Sequence, residues 1–256
     1  MVKKVASRDE IVSFLNEYLD IKAFPDKSKN GLQVEGKSEV NTIAFAVDAC
    51  LDTFMKAKAL NADMVIVHHG IVWGGVDYIT GLIHKRLKFL LEHDMNLYVA
   101  HVPLDAHPEV GNNVQLLKLL DLEPKEPFGD YGGITIGFIG EFEEPKPLPL
   151  IAQVLVEKLK IDYVKGYEFG KQEIERVGVI SGAGGFAIEE AVRKNVDLFI
   201  TGEFTHANYR TAEDLNLSVL VAGHYATETL GIKALMPLLR EKFEVKTVFI
   251  NNPTSL

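Results

Sequence analysis

Five residues far apart along the chain, His68, His69, Asp105, His224 and Glu228, are of the types that bind divalent metal. Neutral imidazole suits Zn, Mn, Fe, Co and Ni. A carboxylate can bridge two cations, because each of its oxygens can take one. Their positions matter more than their types. Met64-Val-Ile-Val67 reads as a buried strand and stops at His68-His69-Gly70. Leu97-Tyr-Val-Ala100 stops at His101, with Asp105 just beyond. Leu198-Phe-Ile-Thr201 stops at Gly202-Glu203, and Val219-Leu-Val-Ala-Gly223 stops at His224, with Glu228 four residues on. Open parallel sheets bind ligands outside the carboxyl ends of their strands. Four strand ends therefore carry histidine or carboxylate to such an edge.

A mixed set of this kind is unlike a closed structural zinc site, which favours cysteine. Two cations about 3.5–4 Å apart would bring the pKa of a bridging water to near neutrality, and that water would be a nucleophile at pH 7. Each piece also has a plainer reading. His68-His69 is equally a pair of loop histidines. Asp105 is equally the cap of a helix over Val110–Leu120, and Pro103 before it predicts an extended approach. Thr227 as an N-cap would make Glu228 a partner of the helix dipole, whereas a helix already begun at His224 would put His224 and Glu228 on one face. His101, Glu203 and His206 lie at or beyond strand ends, where they can orient ligands, move protons or serve as caps. Ser181-Gly182-Ala183-Gly184-Gly185 follows a strand and opens a helix. Its amides can cradle phosphate or form a tight turn, and it lacks GxGxxG spacing. Asn30-Gly31 marks a turn, and the glycines around Trp73 mark a tight loop.

The elements that must position these residues alternate. Strands are predicted at Asn41–Val47, Asp63–Val67, Asn96–Ala100, Gly132–Ile139, Arg176–Ile180, Asp197–Thr201, Leu217–Ala222 and Lys246–Ile250. Helical patterns fall near Leu51–Leu60, Ile83–His93, Asn113–Leu120, Leu150–Lys160, Phe186–Lys194, His206–Asp214 and Thr227–Lys242. Ser7 and Glu10 have capping-box spacing ahead of an amphipathic helix. Alternation with near-continuous apolar strands predicts an α/β fold with mixed or mostly parallel sheets. The segment 123–149 is the least regular and holds five of the ten prolines, which makes it the expected boundary between two α/β lobes. The expected lobes are residues 1–124 and 125–256, with 229–256 packing back onto the first. A weak repeat supports two lobes: Asn61-Ala-Asp-Met-Val-Ile-Val67 resembles Asn195-Val-Asp-Leu-Phe-Ile-Thr201, and Asp94-Met-Asn-Leu97 resembles Asp214-Leu-Asn-Leu217.

Composition narrows the function. The 256 residues are 47% hydrophobic and 25% charged, as in an ordinary globular protein. No apolar run is long enough to span a membrane, and the first twenty residues lack the continuous apolar core of a signal peptide. The single cysteine, Cys50, excludes an internal disulfide and argues against a cysteine-based metal cluster; it fits a reducing compartment, and a cytoplasmic location is expected. A net charge of −9 disfavours nucleic acid as a partner.

The combination Asn30-Gly-Leu-Gln-Val34, Ala46-Val-Asp-Ala49, Val67-His-His-Gly70, Ala100-His-x-x-Leu-Asp105, Gly111-Asn-Asn113, Ser181-Gly-x-Gly184, Thr201-Gly-Glu203 and Gly223-His-Tyr-x-Thr-Glu228 resembles the YbgI-like, or Nif-three-like, family, whose members often carry the label GTP cyclohydrolase I type 2 homologue. The resemblance spans nearly the whole chain. It implies two α/β lobes with a dinuclear metal centre between them, held by His68, His69, Asp105, His224 and Glu228, with His101 close by. It also implies a ring-shaped homo-oligomer, commonly a hexamer. Longer relatives carry an inserted middle domain, for which 123–170 is too short here. Relatives often have two adjacent histidines where this chain has only His206, in Thr201-Gly-Glu-Phe-Thr-His206-Ala207. The established type I cyclohydrolase uses cysteine ligands to zinc, and Cys50 lies outside the proposed cluster. The expectation is therefore a two-metal hydrolase of a nucleotide or related small molecule. Its rival is a non-catalytic metal-binding assembly factor, regulatory protein or metal chaperone.

Overall fold

The computed structural model describes residues 5–254. The chain divides into two compact units. The first takes the chain up to Leu104 and again Ile232–Asn252; the second takes Asp105–Gly231 and Pro253 onward. In chain order the first unit contains β1 (Ala6–Ser7), α1 (Arg8–Tyr18), β2 (Gly31–Val34), β3 (Glu39–Val40), β4 (Thr42–Asp48), α2 (Leu51–Ala59), β5 (Met64–His69), α3 (Gly81–Glu92) and β6 (Asn96–Val99). A short helix, α4 (Val102–Ala106), carries the chain across the division. The second contains α5 (Asn112–Leu119), β7 (Glu126–Tyr131), β8 (Ile134–Pro147), α6 (Leu148–Leu159), β9 (Lys165–Tyr167), β10 (Glu173–Ile180), α7 (Ile188–Arg193), β11 (Leu198–Thr201), α8 (His206–Asp214) and β12 (Ser218–Val221). The last helix, α9 (His224–Phe243), starts in the second unit and leads the chain back to the first, where β13 (Lys246–Phe249) follows.

The division falls at Leu104, not at 124 as the proline-rich segment predicted. The reason lies in α5 and the residues after it. Leu116, Leu117, Leu120 and Leu122 are buried with Ile151, Val177, Ile200 and Leu220, so this stretch belongs to the second core. The prolines instead gather at the outer ends of a hairpin, Pro127 in β7 and Pro145 and Pro147 in β8, which runs antiparallel to it. The first core gathers Ala44, Phe54, Val65, Val67, Leu90 and Leu97 beneath α2 and α3. Ser7 does occupy the N-cap of α1, but its side chain makes no capping bond, so the expected capping box is absent.

In the first unit the sheet order is β13-β4-β5-β6-β2. Every pairing is parallel except the edge strand β2, which runs antiparallel to β6. The second sheet, β7-β8-β10-β11-β12-β9, is mixed: only β10, β11 and β12 are mutually parallel. Both sheets thus contain a parallel core that ends on an antiparallel edge strand.

The internal repeat has a physical basis. Asn61 and Asn195 both take the left-handed conformation after a helix, with φ of 54° and 56°, which asparagine tolerates better than most residues. The aspartate two residues later then clamps the preceding strand, its neighbour in the sheet. Asp63 accepts from the amides of Asn41 and Thr42 at 2.9 and 3.2 Å, and Asp197 from those of Glu175 and Arg176 at 3.1 and 2.9 Å. Each aspartate also meets a lysine, Lys37 or Lys171. The second half of the sequence match is out of register by two residues. Asp94, at φ 46°, corresponds to Asn216, at φ 52°, and β6 and β12 each begin two residues later. Gly36 and Gly170 approach these turns so closely that a Cβ on either would strike the carbonyl of Asp94 or Asn216.

Candidate metal centre

In the first unit, parallel strands carry the chemistry to their carboxyl ends. His68 and His69 are the last residues of β5, and His101 lies just beyond the end of β6. Side chains alternate along a strand, yet the two rings lie near each other. The centroids of His68 and His69 are 4.8 Å apart, those of His68 and His101 4.9 Å, and those of His69 and His101 5.6 Å. Nitrogens of all three lie within 4.8 Å of one another, so the trio can hold a metal ion. Trp73 stands edge-on to His101 at 5.0 Å and donates its indole N–H to the Gly70 carbonyl at 3.0 Å.

Each ring is oriented through Nδ1. His68 Nδ1 meets the Ala100 carbonyl at 2.9 Å, His69 Nδ1 meets Asp48 at 2.8 Å, and His101 Nδ1 meets Asp26 at 2.9 Å. An imidazole that donates from one nitrogen to a carbonyl or carboxylate presents the other as a metal ligand, with its tautomer fixed and its basicity raised. Asp26 is the most elaborately held of these partners. It also accepts from the Ser28 amide, the Asn30 side chain and the Val102 amide. Burial works against its charge, but the hydrogen bond and charge of His101, then the bonds from Asn30 and Ser28, outweigh burial and bring its pKa down to about 2.

The glycine loop at Asn30 is more than a turn. Asn30 Oδ1 accepts from the His101 amide at 2.7 Å. Gln33 Oε1 accepts from the amides of Ile71 and Val72 at 2.8 and 3.1 Å, pinning the loop that leaves His69. Gly70 is required there, because a Cβ would enter the Gln33 side chain.

The second unit holds the carboxylates. Helix α9 begins at His224, so His224 and Glu228 share one helical face, with Nε2 and Oε1 3.0 Å apart. Thr227 is not the N-cap; its hydroxyl donates back to the Gly223 carbonyl at 3.0 Å. Glu203, just past β11, meets His224 Nδ1 at 2.6 Å. Burial disfavours a charge on His224, but the hydrogen bond and charge of Glu228 and the charge of Glu203 prevail and raise its pKa to about 9. Asp105 lies in α4, and its carboxylate accepts from buried Asn112 at 2.8 Å and from the Ser181 hydroxyl at 3.0 Å. Gly111, not Asp105, occupies the N-cap of α5. Pro103 sits in the first turn of α4 and not in the extended approach predicted, since a proline early in a helix forfeits no intrahelical bond.

The Ser181–Gly185 loop is a tight turn whose amides are committed within the protein. Ser181 N–H donates to Asn113, Gly182 N–H to Thr227 and Gly184 N–H to Thr201. Of the two readings of Ser181, Gly182 and Gly184, phosphate cradle or tight turn, these bonds favour the turn. Gly182, at φ 57°, lets the loop lie against the His224 and Glu228 side chains. His206 opens α8 as an exposed residue and belongs to no potential metal-binding group among the described residues. Asp48 could have been found by the strand-end rule, because it closes β4. Asp26 carries no such signal.

Among its relatives, the chain is 74% identical over 249 residues to the GTP cyclohydrolase 1 type 2 homolog of Pyrococcus abyssi (strain GE5 / Orsay), covering 97% of this chain and 99% of that protein. The structure of protein ybgI, described as of unknown function, matches with a TM-score of 0.91 at 37% identity, over 98% of this chain and 100% of that one. TTHA1606 from Thermus thermophilus matches with a TM-score of 0.86 at 39% identity, over 98% and 100%. The model of the family Duf34/NIF3 (NGG1p interacting factor 3) matches residues 6–255, and the chain, with its two α/β units and its strand-end histidines, belongs to that family.

Proposed function

We propose that the protein is a metal-dependent hydrolase of a nucleotide or related small molecule, using His68, His69, Asp105, His224 and Glu228, with His101 as a further ligand beside His68 and His69, to hold two divalent ions. The observation that carries this reading is the trio His68, His69 and His101, whose nitrogens lie within 4.8 Å of one another while each Nδ1 is tied to a carbonyl or carboxylate. Packing alone gives no reason to orient three imidazoles in this way; metal ligation does. The donor set fits borderline divalent ions such as Zn, Mn, Fe, Co or Ni. When bound, a pair of such ions makes water a nucleophile near neutral pH and offsets negative charge that develops in the reaction.

The chain's own residues supply the rest. Asn112 and Ser181 hold the Asp105 carboxylate in one orientation. Glu203 against His224 Nδ1 fixes that ring and gives a partner through which a proton can pass. Because the curated relatives carry the name GTP cyclohydrolase 1 type 2 homolog, purine nucleotides are the first substrates to test. We propose a cytoplasmic homo-oligomeric ring as the working form.

The test is metal analysis of protein purified without chelator, followed by turnover assays over nucleotides and phosphoesters with Mn, Zn or Fe. The expected result is bound metal and metal-dependent turnover that His69→Ala abolishes. Metal-loaded protein that turns over nothing in the panel would refute the hydrolase reading; protein that takes up no metal would refute the site itself.

A further inference from the structure

A cavity of about 410 Å³ opens on the second unit beside the residues just described. Its inner wall is formed by strand ends. Gly202 continues β11, and Val221, Ala222 and Gly223 lead β12 into α9. This is the crevice outside the carboxyl ends of two adjacent parallel strands, where α/β sheets take their ligands. Gly223 and Ala226, both lining residues, bracket His224 in the first turn of α9. An occupant would touch the turn that carries a proposed metal ligand.

The rim has a different chemistry. It is the connection from α6 to β9, and it contributes Lys160, Asp162, Tyr163 and Lys165. Two cations against one carboxylate leave an excess of positive charge in a protein of net charge −9. Tyr163, 69% exposed, offers its ring at the same rim. The Lys165 amine lies over the Tyr167 ring, 5.2 Å from its centroid, which holds it at the rim. The volume falls in the range of small-molecule sites, about 300–1,000 Å³.

We propose that this cavity binds a mononucleotide, with Lys160 and Lys165 meeting the phosphate at the rim, Tyr163 covering the base, and the inner end of the ligand against the His224 turn. The proposal deepens the hydrolase reading and rests on it for the chemical purpose of the site, but not for binding. A flat aromatic ring and a pair of cations are what a base and a phosphate require, and a cavity of this volume suits a single nucleotide better than a polymer.

Isothermal titration of the full chain with GMP, in the presence of chelator and again after zinc loading, tests this. Guanosine and inorganic phosphate serve as the two halves of the ligand. GMP is expected to bind saturably even with chelator present, about tenfold or more tighter than either half. K160E/K165E is expected to weaken GMP by about tenfold or more, and Tyr163→Ala by about fivefold or more. All three side chains are exposed, and a thermal melt checks that the variants fold. No saturable binding at millimolar GMP, or unchanged affinity in K160E/K165E, overturns the proposal. Lysine-dependent binding without turnover in metal-loaded protein sinks the hydrolase reading and keeps the pocket. Turnover with an unaltered KM in K160E/K165E does the reverse.

Discussion

Replacing Asp26 by asparagine removes one charge and almost no volume, yet it should be felt in both folding and metal binding. The side chain is 2% exposed and makes four kinds of hydrogen bond, to His101 and to the Ser28, Asn30 and Val102 donors. Asparagine keeps one acceptor oxygen and turns the other position into a donor, which then faces donors. The magnitude follows from the carboxyl's pKa of about 2, against an ordinary 3.8. At about 1.4 kcal/mol per unit, the folded protein stabilises this carboxylate by about 2 kcal/mol over the unfolded chain. Because the folded value is depressed, that stability is present above pH 3.8 and is lost as pH falls through 2. Urea denaturation of chelated wild type and Asp26→Asn should therefore give a gap of about 2 kcal/mol that is constant from pH 7 to about pH 5 and closes at lower pH. Chelator competition should show zinc bound about 10–100-fold more weakly by the variant, since His101 loses its orienting carboxylate. Equal stability at pH 7, or a gap that stays open at pH 2, would refute the electrostatic argument. Undiminished zinc affinity would refute the positioning role.

Two further outcomes follow from the second unit. Asn112 is fully buried, donates to Asp105 and accepts from the Gly231 amide at 2.7 Å. Asn112→Ala leaves a buried amide without its acceptor, and equilibrium unfolding should register a loss of about 2–3 kcal/mol; a variant within 0.5 kcal/mol or so of wild type would count against the network. His224, with its pKa raised to about 9, stabilises the chelated protein fully below the ordinary value of 6.5 and loses that contribution as pH rises through 9. His224→Gln should flatten the decline in stability over that interval. Zinc binding at pH 7 should also release a proton, read by calorimetry in buffers of different ionisation enthalpy.

The two groups of candidate ligands were legible in different degrees. His68, His69 and His101 stand out because an apolar strand ends abruptly at each, and a strand end is a local property of the chain. The α/β alternation and the Asn-x-Asp repeat were readable for the same reason. Asn61 and Asn195 take a conformation that their own side chains permit, and the aspartates behind them act on the neighbouring strand of the same sheet. The hairpin of β7 and β8 and the short edge strand β9 were misplaced or missed. Edge strands are buried on few sides and leave little periodic trace in the sequence.

What sequence alone determined, then, is which residue types arrive at the ends of which strands, because periodicity and termination are written in consecutive residues. What only the tertiary structure decided is who holds them. Asp26 meets His101 across 75 residues, Ser181 meets Asp105 across 76, and Asn112 meets Gly231 across 119. The same structure moved the division of the chain to Leu104, turned Asp105 from a possible cap into a held carboxylate, and spent the amides of the Ser181 loop on internal partners. A hydrogen bond between residues so distant depends on where two backbones pass each other, and no spacing along the chain encodes that meeting.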